Sequence, residues 1–155
     1  MRTKIAALVG IFAMSAVAAA AQPAPSSGAA SGATVTVLVV GMHSSKGQVQ
    51  CLLYAGGVGF PGKPDKAVAK LIVPISDQAA TCAFPNLAPG DYAIELFHDE
   101  NGNGKLDTGF MGIPSEGFGA SNDAPEKFGP PKYADAKFQV TGDQTLTIHM
   151  TYIGK

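Results

Sequence analysis

The chain has 155 residues, with 11 lysines and arginines against 12 aspartates and glutamates, two cysteines and no tryptophan. Two of the basic residues, Arg2 and Lys4, lie in a segment expected to be removed, which leaves a net charge of −3. That balance argues against nucleic acid or an anionic membrane surface as the partner. Arg2 and Lys4 form a short positive start, an apolar run follows from Ile5 to Val17, and Ala19-Ala20-Ala21 supplies small residues at a cleavage site. This is the pattern of a secretory signal peptide over residues 1–21. The run is short for a span of ~20 apolar residues and no basic stop-transfer signal follows it. No cysteine follows the small residues, which argues against lipid attachment there. Residues 22–33, rich in Pro, Ala, Ser and Gly, read as a flexible leader. The folded domain is expected over 34–155, in the periplasm or outside the cell, with no membrane span after cleavage.

The period along this domain is two, not 3.6. Thr34 to Met42 alternates with Val35, Val37 and Val39 on one face, and Leu38 and Val40 suggest that the other face is covered too. Ser44-Ser45-Lys46-Gly47 is a turn and Gln48 to Tyr54 a second strand, an expected opening hairpin. Gly56 to Pro64 has too much Gly and Pro for regular structure, and a short helix fits Asp65 to Ala69. Val68 to Ile75 is a third strand, marked by Pro74 as an edge or a strand end. Ala80 to Phe84 is a fourth, Tyr92 to His98 a fifth, Ala136 to Val140 a sixth and Thr145 to Ile153 a seventh. The predicted fold is all-β: a single antiparallel β-sandwich of about seven strands with one long Gly/Pro-rich loop.

Cys51 and Cys82 each sit on the apolar parity of a predicted strand. In an oxidising compartment they are expected to form a core disulfide between two strands, contributing ~3–4 kcal/mol by the chain-entropy argument. A redox-active pair is disfavoured, because Cys-x-x-Cys spacing is missing.

The segment 99–133 is unusual. Loops longer than ~12–15 residues without secondary structure are uncommon in compact domains. Its apolar residues, Leu106, Phe110, Met111, Ile113, Phe118 and Phe128, argue against plain disorder. It opens with Asp99-Glu-Asn-Gly-Asn-Gly-Lys-Leu-Asp107. Calcium takes six to eight oxygen ligands, and a short loop that supplies them must turn sharply. Against the pattern Asp-x-[Asp/Asn]-x-[Asp/Asn]-Gly, Asp99, Asn101 and Asn103 offer side-chain oxygens, Gly104 the turn, Lys105 a backbone carbonyl and Asp107 a further carboxylate. Phe110 replaces the final bidentate glutamate and a strand rather than a helix enters the loop, so this is not an EF-hand. Glu116 or Asp123 would complete the ligand set. Eight of the twelve acidic residues lie between Asp91 and Glu126, opposed there only by Lys105. Such a cluster repels itself unless it is solvated or holds a cation. The alternatives are an ordinary Asn/Gly turn without metal, or another metal.

Catalytic readings are weaker. His98 would suit zinc or copper, but His43 and His149 show no ligand spacing to it, so a structural histidine bonded to a loop carbonyl is preferred. Ser115 and Ser121 lack a nucleophile elbow. No enzyme is expected.

Two segments resemble known families. Phe84-Pro-Asn-Leu-Ala-Pro-Gly-Asp-Tyr92 resembles the turn and strand of prealbumin-like sandwiches, such as collagen-adhesin B-type repeats and carboxypeptidase regulatory-like domains. Ala93 to Asn122, with His98 to Asp107, then Gly112-Ile-Pro-Ser-Glu-Gly-Phe-Gly and Ser121-Asn122, resembles the bacterial exported family called domain of unknown function 2141. That resemblance implies a small periplasmic or secreted β-sandwich and no particular activity, so calcium rests on the residues alone. The expected function is a calcium-ordered binding or structural module with a protein or envelope component as partner. The alternatives are a small-ligand carrier, with Tyr54, Phe60 and Tyr133 near a pocket between the sheets, and a metal-dependent hydrolase.

Overall fold

Alternating valines and leucines make strands, and the strands sort by how many of their faces are apolar. The computed structural model describes residues 32–125 and 129–153. The expected signal peptide, its cleavage site, the leader up to Ser31, Glu126 and Phe128 lie outside the described residues. Eight strands are described: β1 Ala33–Val40, β2 Gln48–Ala55, β3 Ala69–Pro74, β4 Ala80–Leu87, β5 Gly90–Asp99, β6 Phe118–Ala120, β7 Phe138–Val140 and β8 Gln144–His149. One turn of α-helix, α1, spans Tyr133–Ala136, and a 3₁₀ turn at Pro64–Lys66 falls where a short helix was expected. Ala33, assigned by composition to the leader, opens β1 and pairs with Leu87.

The strands form two sheets. One has the order β4-β1-β8; the other has the order β3-β2-β5-β6, with β7 also paired to β5. The all-β class and the sandwich follow the sequence. The expected opening hairpin does not: β1 pairs β4 and β8, while β2 pairs β3 and β5 in the other sheet. The turn after β1 therefore crosses between sheets. Nor is the sandwich wholly antiparallel, because β1 and β8 run parallel, with Val35 opposite Gln144 and Val40 opposite His149. Two edges carry their prolines as expected of edge strands. Pro74 ends β3, and Pro85 sits in β4, which pairs on one side only.

Val35, Val37 and Val39 of β1 meet Val49, Cys51 and Leu53 of β2 and Tyr92, Ile94 and Leu96 of β5 across the sandwich, all buried. Burial of such side chains stabilises by roughly 1.5–3 kcal/mol each. Cys51 and Cys82 are disulfide-bonded, which ties β2 in one sheet to β4 in the other across this core. The outer face of the three-stranded sheet is more open than expected, with Leu38 exposed. The outer face of the other sheet is covered instead. Leu52, Tyr54 and Phe97 on that face are buried under Phe60, Ala67, Leu106 and Phe118, contributed by the two irregular segments. A second small cluster joins Ala93, Ala120, Ala124 and Ala136 to Phe60 and Tyr133. The irregular chain thus forms a third layer on one sheet, and β2 and β5 read as nearly continuous apolar runs because both of their faces are buried.

Candidate functional site

β5 runs to Asp99 because its last residues still pair with β2, His98 opposite Val49 and Asp99 opposite Gln48. The chain then enters the Asn/Gly loop at one pole of the sandwich. Gly102 (φ 73°) and Gly104 (φ 80°) take the left-handed conformation that glycine adopts without strain, which turns the loop back on itself.

Asp99 is the hub. It is fully buried, and one carboxylate oxygen, Oδ2, accepts from Gln48 Nε2, Gln50 Nε2 and the Gly104 N–H, each at 2.9 Å. Oδ1 accepts the Asn103 N–H at 2.9 Å. Burial by itself would raise the Asp99 pKa, but these four hydrogen bonds outweigh it and hold the carboxyl below its ordinary value. Gln50 is buried beside it, and its Oε1 has no hydrogen-bond partner among the described residues.

Asn101, Asn103 and Asp107 converge on the exposed side of the loop. Asn101 Oδ1 accepts the Asn103 N–H at 3.0 Å, and Asn103 Oδ1 accepts the Lys105 N–H at 2.9 Å. Their Nδ2 groups donate to the Asp107 carboxylate, at 2.6 Å from Asn101 and 2.9 and 3.0 Å from Asn103. Glu116 is buried behind the loop. It accepts the Glu100 N–H on Oε1 at 2.9 Å and the Asp107 N–H on Oε2 at 3.0 Å, clamping both ends of the loop. Asp123 is elsewhere: it accepts the His149 N–H and pairs with the His149 ring, at 2.9 and 2.8 Å. The acidic run is also dispersed. Glu95 accepts from Tyr54 OH and the Gly62 N–H, and Asp91 pairs with Lys137. Burial first, then Glu95, pushes the Tyr54 phenol up.

His98 is buried, with Nε2 2.6 Å from the Lys46 carbonyl and Nδ1 2.6 Å from Tyr152 OH. The loop carbonyl expected for it is that of Lys46. Sequence spacing missed His43, which sits in the turn between the sheets, with its ring stacked on Tyr152 at 4.0 Å and its Nε2 3.1 Å from Glu100 Oε1. Fifty-five residues separate His43 from His98, and only the crossing of sheets brings them together. Ser121 Oγ donates to the Ala136 carbonyl at 2.6 Å and accepts the Ile94 N–H at 2.9 Å, so it is a buried splice between β5 and α1.

A groove of about 500 Å³ lies on the covered outer face of the larger sheet. Leu106, Ile113 and Pro114 wall one side, Phe118 lines it, and Pro61 and Pro131 wall the rest. Between the sheets the described side chains and the disulfide form the core, and the residues expected near a pocket there lie instead on the outer face, where Phe60 packs edge-on against Tyr54 and Tyr133. Phe110 and Met111 are 86% and 82% exposed.

A family described as "Uncharacterized protein conserved in bacteria (DUF2141)" matches the chain over residues 37–149, a range that includes this loop. The chain belongs to the DUF2141 family. The DUF2141 match runs from within β1 to the end of β8, so it takes in strands of both sheets, the loop and all of the groove's lining except Ile153. No curated protein and no solved structure matches the chain. Among the described residues, no helix is long and apolar enough to cross a membrane.

Proposed function

We propose that this DUF2141 protein is an exported β-sandwich binding module in which a calcium ion in the 99–107 loop orders one wall of the apolar groove, where a protein or envelope component docks. The observation that carries this reading is continuity. Leu106 lines the groove and the next residue, Asp107, is the acidic centre of the loop's exposed side. Whatever fixes Asp107 fixes that wall.

Asp107, Asn101 and Asn103 would bind through side-chain oxygens, Lys105 through its carbonyl and Asp99 through Oδ1, which accepts a single hydrogen bond. Glu116 would position the ends of the loop rather than ligate. The amides of Asn101 and Asn103 now aim nitrogen at Asp107, so calcium has to turn their oxygens inward, and its affinity falls in the ~10⁻⁴–10⁻³ M range of extracellular modules. The unpartnered Gln50 Oε1, on the amide that bonds Asp99, supports a missing positive group nearby. The disulfide supports export, since such bonds persist in oxidising compartments.

The test is the melting temperature of the oxidised protein in EDTA and then in millimolar calcium. At about ten times Kd, binding stabilises by about 1.4 kcal/mol, or roughly 5 °C for a domain of this size. Asp107→Ala should keep the EDTA value and lose the calcium response. An unchanged calcium response in that variant, or none in the wild type, sinks the calcium reading. The groove volume also suits a small apolar ligand, and that carrier reading survives a negative calcium result.

A further inference from the structure

We propose a second metal site, for a divalent ion of the zinc or copper(II) class, formed by His43, His98 and Glu100. It uses nitrogen donors that calcium does not take and shares only the backbone of Glu100 with the calcium loop. One donor atom from each of the three residues lies within 4.8 Å of the others.

Two features of His98 point to a ligand. Its Nε2 faces the Lys46 carbonyl, which can only accept, so Nε2 carries the ring proton and the lone pair is on Nδ1. A metal-binding imidazole almost always gives its other N–H to a carbonyl or carboxylate in this way, which fixes tautomer and ring orientation. The ring is also buried and so held in place. Tyr152 OH donates to Nδ1. An ion at Nδ1 takes the place of that proton, and the phenol oxygen, now 2.6 Å from Nδ1, has to swing back toward the ~3.4 Å donor spacing to serve as a fourth donor.

The other two donors lie on the partly open side of the cluster. Side-chain exposure is 34% for His43 and 21% for Glu100. A tetrahedral ion with bonds of 2.0–2.2 Å places its donors about 3.4 Å apart, and the His43–Glu100 pair is already at 3.1 Å. Two imidazoles and one carboxylate select borderline cations, whereas calcium requires oxygen throughout. The competing account is that the cluster only locks Tyr152 against the turn by stacking and hydrogen bonds.

Isothermal titration separates the two. Untagged, oxidised protein is stripped with EDTA and titrated with Zn(II), then separately with Cu(II), in millimolar calcium so that the hard site is saturated. The proposal expects one equivalent bound, with affinity weakened by more than about tenfold in His43→Ala and in Glu100→Gln. His149→Ala, at the exposed histidine paired with Asp123, should bind like wild type. Co(II) should give the visible absorption of a near-tetrahedral nitrogen-oxygen site, lost in His43→Ala while circular dichroism stays native. No binding by wild type, wild-type affinity in either ligand variant, or loss of binding in His149→Ala overturns the site.

Discussion

Asp99 shows how one side chain can be tied into the strands through one carboxylate oxygen while the other faces the loop. Four donors converge on its carboxylate, two of them from glutamines on the neighbouring strand. Hydrogen bonds to a charged group contribute about 1.5–3 kcal/mol each, so Asp99→Asn should destabilise by about 2–3 kcal/mol or more in urea unfolding. The sign with pH follows from the depressed pKa. The charged form is favoured in the fold, so its stabilisation is complete above the ordinary aspartate value of about 3.9 and is lost as pH falls through the lower folded value. Wild type should therefore lose stability below about pH 4 more steeply than Asp99→Asn, and parallel slopes would refute the assignment. The loop residues were legible because the Asn/Gly spacing encodes the turn. The glutamine partners were not, because strand parity places Gln50 on a face without saying what covers it.

At the scale of elements, the long segment after β5 is where sequence reasoning lost most. It hides β6, a strand of three residues that pairs Glu95, Leu96 and Phe97 of β5 through Ala120, Gly119 and Phe118. Three residues containing one glycine give no readable alternation. Gly119 lets the strands come close there: a Cβ would stand 3.0 Å from the His149 carbonyl, a contact that the neighbouring chain would have to yield to. The splice that follows is Ser121, whose hydroxyl links Ile94 N–H to the Ala136 carbonyl in a buried place. Ser121→Ala leaves a buried N–H and a buried carbonyl without this partner, and should cost about 2–3 kcal/mol. The loss should appear as faster hydrogen exchange at Ile94 and around α1, while β1 and β4 keep their protection. The opening hairpin failed for a related reason: a four-residue turn between two apolar strands looks the same whether the strands pair or part into two sheets.

For the whole molecule, the inter-sheet disulfide was readable from parity, since both cysteines fall on the apolar faces of their strands. It closes 31 residues of chain. Cys51→Ala/Cys82→Ala should lower stability by about 3–4 kcal/mol, measured by urea unfolding against the oxidised wild type. An equal midpoint would mean that core packing alone fixes the two sheets. The two-sheet class was legible because its signal is the repeated period of two, whereas the parallel pairing of the first and last strands has no local signature. That pairing has a practical consequence for attachment. Because β1 and β8 run the same way, the chain enters the sandwich at the pole of Leu87 and Gly90 and leaves it at the pole of Asp99 and His43. The two ends are separated by roughly 20–25 Å of strand. An anchor or label joined ahead of Gly32 would therefore present the Asn/Gly loop outward, away from the surface that holds it. One joined beyond Ile153, a residue that lines the groove, would crowd the mouth of that groove.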